Sequence, residues 1–303
     1  MVMRVATFAV SEQMIAASLR SQGVMVQQQL QEAAGVTSTT FGGLGATSQQ
    51  VVNLQISVQR SQAYIAAADA TDNKVQVMYS TINSITNLLT QFRSTLTAAS
   101  NSAAVAPDSV TASAQQALQS MQSLLNTQYA GSYIFSGART ATAPVNISNP
   151  PYAPASSPSS PDTSYYQGDD QIASVRVSDT QTVSYGINAD NPAFEQAMRA
   201  FNLVASNSPL SSDTLTEALD LTVSALNDIT TVQTNLGSAS AALQAASASQ
   251  SDYQSFAQSL EGNLTGVDVA SVTAKLSTYQ TQLQASYAAI AKIQSLSLAS
   301  YLH

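Results

Sequence analysis

The stretch that decides the fold is VDVASVTAKLSTYQTQLQASYAAIAKIQSLSLASYL, residues 267–302. Apolar or aromatic side chains recur at Val269, Val272, Leu276, Tyr279, Leu283, Tyr287 and Ile290, with Ile293 continuing the series. These steps of three and four average about 3.5 residues, the spacing of a coiled-coil seam. An unbroken helix here would run roughly 50 Å at about 1.5 Å per residue. A helix with one apolar seam and almost no charge needs a second helix to cover it, from the same chain or a neighbouring molecule.

Composition points the same way. Aromatic residues make up 6% and charged residues 9% of the 303-residue chain, tryptophan is absent, and Ala, Ser, Thr and Gln dominate. A typical soluble domain carries about 25% charge, so this surface suits packing against other chains at little desolvation cost. Net charge of −8 with scattered basic residues argues against nucleic-acid binding, which needs clustered Lys and Arg on phosphates. Without cysteine there is no disulfide, thiolate metal site or thiol nucleophile. The first 20 residues, with Glu12 among them, lack the apolar core of a signal peptide. No run of 18 apolar residues occurs, so no membrane insertion is expected.

Residues 5–34 read as a second amphipathic helix, with Phe8, Ile15, Leu19, Val26 and Leu30 on one side. The Gly-rich stretch 35–48 is a hinge. Helical periodicity resumes over 49–100 through Val51, Leu54, Val58, Ile65, Val75, Met78, Ile82, Ile85 and Leu89, turns at Pro107-Asp108 and returns over 110–128. Five prolines from Pro150 to Pro161 exclude regular structure and predict an exposed loop. Alternation between Ile172 and Tyr185, with a turn at Ser178-Asp179, predicts a small β insertion. Asn191-Pro192 opens a short helix. Ser211, Ser212 or Asp213 caps a long one that runs to about Leu260, after which Glu261-Gly262-Asn263 loosens the chain.

The fold class expected is therefore mainly α: a long antiparallel helical coiled coil or bundle built from both chain ends, with a small β-rich insertion in the middle. Residues 1–48 with 264–303 form a terminal coiled coil, 49–138 with 192–263 a helical bundle, and 139–191 the β insertion.

Several stretches resemble the bacterial flagellin superfamily, within it the hook–filament junction members. Met3-Arg4-Val5-Ala6-Thr7 is similar to their MRVST opening. Leu124-Leu125-Asn126-Thr127 followed by Gly131-Ser132-Tyr133-Ile134-Phe135-Ser136-Gly137 is similar to their LLxxANxxxxGxYxFxG signature. Tyr166-Gln167-Gly168-Asp169, Val183-Ser184-Tyr185-Gly186 and Pro192-Ala193-Phe194 resemble their insert, and the terminal LSLASYL their ending. The chain departs from the family pattern at Ala33-Ala34-Gly35-Val36 and FGGLGATSQQ, where a basic pair and an acidic-proline run are missing.

The resemblance implies pairing of the two terminal helices and side-by-side self-association in a tubular lattice. The assembly interface would comprise Phe8, Ile15, Leu19, Val26, Leu30, Val272, Leu276, Tyr279, Leu283, Tyr287, Ile290 and Ile293. Implied partners are the first hook-associated protein, flagellin and a flagellar export chaperone. The implied location is the extracellular flagellum, reached by export without a cleaved signal peptide. Within this class the alternative is a filament subunit.

Other motifs give no comparable signal. Gly42-Gly43-Leu44-Gly45 lacks the Lys-Ser/Thr of a phosphate loop. His303, the single histidine, would have to serve any His-based triad or metal site. The PxxP spacings at Pro151 to Pro154 and Pro158 to Pro161 could serve as docking motifs, but a plain exposed linker is the preferred reading. An enzyme in the β insertion would rest on Asp162, Asp169, Asp170, Asp179 and Asp190 alone. No catalytic residue, cofactor or metal is assigned.

Overall fold

A computed structural model describes residues 2–101, 107–148 and 152–299. The side chain of Phe8, the prolines Pro150 and Pro151, and residues Ser300 to His303 lie outside the described residues. Six helices are present among them: α1 (Val2–Ala34), α2 (Ser48–Asn101), α3 (Pro107–Leu125), α4 (Pro192–Ser206), α5 (Ser212–Thr265) and α6 (Val269–Ala299). Two antiparallel two-stranded ribbons complete the fold, β1 (Gln128–Tyr129) with β2 (Ser132–Tyr133) and β3 (Ser174–Arg176) with β4 (Thr182–Ser184). The chain is thus mainly α with a small β insertion, and it divides into two compact units, residues 1–59 with 254–303 and residues 60–253.

In the larger unit α2 and α5 run antiparallel. Ser61 donates to Gln250 at 3.0 Å, Ser240 to Asp72 at 2.5 Å and Gln233 to Asn83 at 2.7 Å. Beneath this polar margin the three-four spacing buries Val75, Met78, Ile82, Ile85, Leu89, Phe92 and Leu96 against Ile229, Val232, Leu236 and Leu243. Helix α3 adds Val110, Ala114, Ala117, Met121 and Leu125 from one face, and α4 adds Phe194, Met198 and Phe201. The Phe92 and Phe201 rings meet edge to face, 4.8 Å between centroids.

Local chemistry sets the element ends. Proline stands at the first position of α3 and of α4, where its missing N–H costs nothing. Asn191 caps α4 by accepting from Ala193 N at 3.0 Å. For α5 the cap is Ser211, whose hydroxyl accepts from Thr214 N at 3.1 Å. The β1–β2 turn holds Ala130 and Gly131 at φ of 49° and 77°, the two-residue hairpin geometry whose twist matches the strands.

Two expectations need correction. Glu261-Gly262-Asn263 does not loosen the chain: α5 continues to Thr265. One glycine costs a helix only about 1 kcal/mol, and Glu261 is held across to α2 by Gln55 Nε2 at 2.6 Å. The Pro/Ser-rich loop is irregular but not a free linker. Tyr152 is buried, with its ring 5.4 Å from that of Tyr165. Asn202 and Asn207 donate to the carbonyls of Ala153 and Ala155 at 2.6 and 2.8 Å. Glu217 accepts from both the amide and hydroxyl of Ser159, at 2.7 and 2.5 Å. Side chains of α4 and α5 thus strap the loop down and satisfy backbone groups that prolines leave without a ladder.

Candidate assembly interface

In the terminal unit α1 and α6 lie antiparallel. Their connecting ends are tied by a short backbone bridge between Val36 and Gly266, with Thr37 N donating to Thr265 O at 2.7 Å and Val267 N to Gly35 O at 3.2 Å. Gly35 makes this possible at φ of 67°, a region costly for a residue with a Cβ. Gln31 Nε2 closes the corner on Thr37 O at 2.7 Å.

The α6 seam is covered over most of its length, with Val269 at its start left 49% exposed. Val272 and Leu283 are 4% and 6% exposed and Leu276 is buried as well. Tyr279, Ile290 and Ile293 are half-buried. Tyr287 is exposed at its ring, but its hydroxyl receives a hydrogen bond from Gln22 Nε2. Farther along, Thr273 Oγ1 donates to Glu32 Oε1 at 2.8 Å.

The face α1 turns to α6 is not the apolar one. Gln22 and Glu32, which bond to α6, share their side of α1 with Ser11, Met14, Ser18, Ser21, Met25 and Gln28, all buried or half-buried. Ile15, Leu19, Val26 and Leu30 lie about a third of a turn away, by the 100° per residue of an α-helix. They face solvent, Leu19 at 61% and Leu30 at 65% exposure. The fold therefore brings the α6 set onto α1 and leaves the α1 set outside as an open apolar stripe. Sequence reasoning missed Met14, Ser18 and Met25 because it followed the branched and aromatic side chains, which fall on another side of the helix. The strict series 11, 14, 18, 21, 25, 28, 32 was the available signal, a heptad register written in small and flexible residues. Among the described residues Ser18 Oγ and Gln28 Oε1 are buried there with no hydrogen-bond partner, a cost of about 1–3 kcal/mol per orphaned group.

The insertion's aspartates hold backbone. Asp169 Oδ1 accepts from Ala138 N at 2.8 Å and Gln171 N at 3.1 Å, and Asp162 accepts from Ser164 N at 2.8 Å. Asp179 pins the β3–β4 turn to α2, 2.8 Å from Tyr64 Oη and 3.0 Å from Arg60 Nη1. The Tyr64 hydrogen bond first, and then that of Arg60, hold its carboxyl below the usual value. Asp170 and Asp190 line an open groove beside α5. Near the strap Arg199 and Glu195 form a largely buried ion pair, Nε to Oε1 at 3.0 Å, with the aligned hydrogen bond running from Nη2 to Oε2 at 3.3 Å.

Residues 219–302 match the family of the bacterial flagellin C-terminal helical region. The fold matches that of solved flagellar proteins. A Vibrio parahaemolyticus protein assigned as a flagellar hook-associated protein is 16% identical, with 72% of this chain and 97% of that one covered, at a TM-score of 0.58. Bacillus cereus FlgL is 16% identical over 70% of this chain and 98% of that one, TM-score 0.55. The hook-associated protein 3 of Legionella pneumophila is 15% identical over 71% and 98%, TM-score 0.56. No curated protein matches the sequence. Residues 219–302 are thus similar to the flagellin C-terminal helical region, and the fold of the chain is one shared with hook-associated proteins, in agreement with the resemblance read from its motifs.

Proposed function

We propose that this chain is a structural subunit of the bacterial flagellum that joins the hook to the flagellin filament and assembles through its terminal helices. The observation that carries the reading is the pairing of α1 with α6 in a way that leaves Ile15, Leu19, Val26 and Leu30 exposed on a flagellin-type terminal unit. An apolar stripe on a weakly charged helix loses little by leaving water and gains about 25 cal/mol per Å² when covered. Neighbouring subunits in a tubular lattice are the proposed cover. The first hook-associated protein on the hook side, flagellin on the filament side and an export chaperone holding α6 before assembly are the proposed partners. In this reading residues 1–48 with 264–303 form the terminal coiled coil that assembles, 49–138 with 192–263 a helical bundle, and 139–191 a β-rich insertion.

The test is a paired substitution, Leu19→Asp with Leu30→Asp, introduced in the cell that makes the chain. Both side chains are exposed in the free chain, so helicity and α1–α6 pairing should persist, while hooks should carry no filament under the electron microscope and flagellin should be shed to the medium. Filaments of normal length on such cells would sink the reading. Sheared flagella separate it from the filament-subunit alternative: a junction subunit is a trace component at the hook end, a filament subunit the main one.

A further inference from the structure

The side of α6 turned away from α1 carries a three-four series of its own. Ala270, Ala274, Thr278, Thr281, Ala285 and Ala288 lead to Lys292, about half a turn from the covered Leu276 and Leu283. Every member of this outer row is exposed. A shallow groove of about 350 Å³ opens along it, lined by Ser277, Thr278, Thr281, Gln282 and Ala285. Small side chains leave hollows into which the ridge of a second helix can pack. The open stripe of α1 is such a ridge, large side chains at Ile15, Leu19, Val26 and Leu30. Its one gap is Gly23, where an added Cβ would meet nothing within 4 Å.

The ridge and the groove also match in charge. Glu12 stands on the stripe side, three residues before Ile15, and Lys292 ends the outer row of α6. Both are exposed, and among the described residues neither joins an ion pair. Within the chain Gln22 is level with Tyr287 and Glu32 with Thr273. Two copies side by side at one height keep those levels. Val26 then meets Thr281, Gly23 meets Ala285, Leu19 meets Ala288, and Glu12 comes within about one helical turn of Lys292.

Building on the flagellar reading, we propose that the open stripe of α1 packs into the outer groove of α6 on a second copy of this chain, with Glu12 of one copy paired to Lys292 of the next. A second copy is the occupant because the chain supplies both halves of the contact, ridge and groove, with opposite charges at matching height. The apolar row gives the contact its gain on burial, and the charge pair fixes its register. The two surfaces differ, so the contact is head to tail and repeats from copy to copy, closing a ring or continuing as a helix.

The chain has no cysteine, so one introduced thiol per copy reports contacts between copies alone. Cells make two differently tagged forms of the full chain, one with Val26→Cys and the other with Thr281→Cys, both exposed positions, and are oxidised intact. A mixed disulfide between the two forms is expected, with same-form adducts at least fivefold weaker. Glu12→Lys in the first form should cut the mixed adduct at least threefold, and Lys292→Glu added in the second should restore it. Dominant same-form adducts, an adduct with another polypeptide in place of the mixed one, no adduct, or a loss that the second reversal does not restore would each overturn the proposal. The cells with Leu19→Asp and Leu30→Asp keep the two readings apart. Bare hooks there, with no mixed adduct here, leave the flagellar reading standing and remove this contact; a mixed adduct with normal filaments does the reverse.

Discussion

Thr37 donates its backbone N–H to the carbonyl of Thr265 at 2.7 Å, so the exit of α1 and the approach to α6 are joined although 228 positions separate them in the chain. With Val267 N on Gly35 O the bridge is two-way. It sets the antiparallel register of the terminal helices, and with it which side of α1 meets the α6 seam. The hinge at residues 35–48, where the chain departs from the flagellin pattern, therefore has a definite structural task.

Gly35 is the point at which that bridge is most easily broken. At φ of 67° a β-branched residue costs about 1–2 kcal/mol. Gly35→Val should speed hydrogen exchange at the Thr37 and Val267 amides by roughly tenfold, since about 1.4 kcal/mol corresponds to a factor of ten. Exchange in α3 and α4 should be unchanged.

The α1–α6 seam carries an inexpensive defect. Ser18→Ala removes a buried hydroxyl that has no partner among the described residues and should stabilise the helix pair by about 1 kcal/mol. Leu276→Ala removes a buried side chain and should cost about 2 kcal/mol or more. Leu19→Ala, at an exposed position, should stay within about 0.5 kcal/mol. Amide exchange along α6 reads all three, and a large loss for Leu19→Ala in the free chain would contradict the helix facing described above.

Phe201→Ala opens a cavity where α4 meets α2. Phe201 is fully buried and its ring lies 4.8 Å from that of Phe92, so the loss should be about 3–5 kcal/mol, seen as a lower urea midpoint for the 60–253 unit.

The strap should respond to acid. Burial pushes the Glu217 carboxyl up, but hydrogen bonds from Ser157 and from the hydroxyl and amide of Ser159, together with the Arg199 charge, outweigh it and hold the carboxyl below its usual value. A depressed carboxyl contributes stability above its unfolded value and loses it as pH falls through the folded one. Protection of the Ser159 amide should therefore decline on acidification below the ordinary glutamate range. Glu217→Gln should weaken that protection at neutral pH and flatten its pH dependence.

Much of the fold was legible because its signals are local. The Asn191-Pro192 start of α4, the alternation that places Val175 opposite Val183 and the three-four spacing of α2, α3 and α5 each arise within a few residues. The strap was not legible, because its anchors Arg199, Asn202, Asn207 and Glu217 lie 40 to 58 positions from the backbone they hold. Proline content alone reports only that no ladder forms.

At the terminal unit the division is sharper. That residues 267–302 form a seam needing a partner, that α1 carries an apolar stripe and that both are short of charge follows from the residues alone, because helical period and composition are properties of the chain. Which face of α1 fills the seam is set by tertiary contacts. Register is imposed by the Gly35–Thr37 bridge to Thr265–Val267, and small residues with two methionines let the backbones approach on that side. Hydrophobicity ranks faces by their gain on burial, whereas the loop that joins two helices dictates which face can reach.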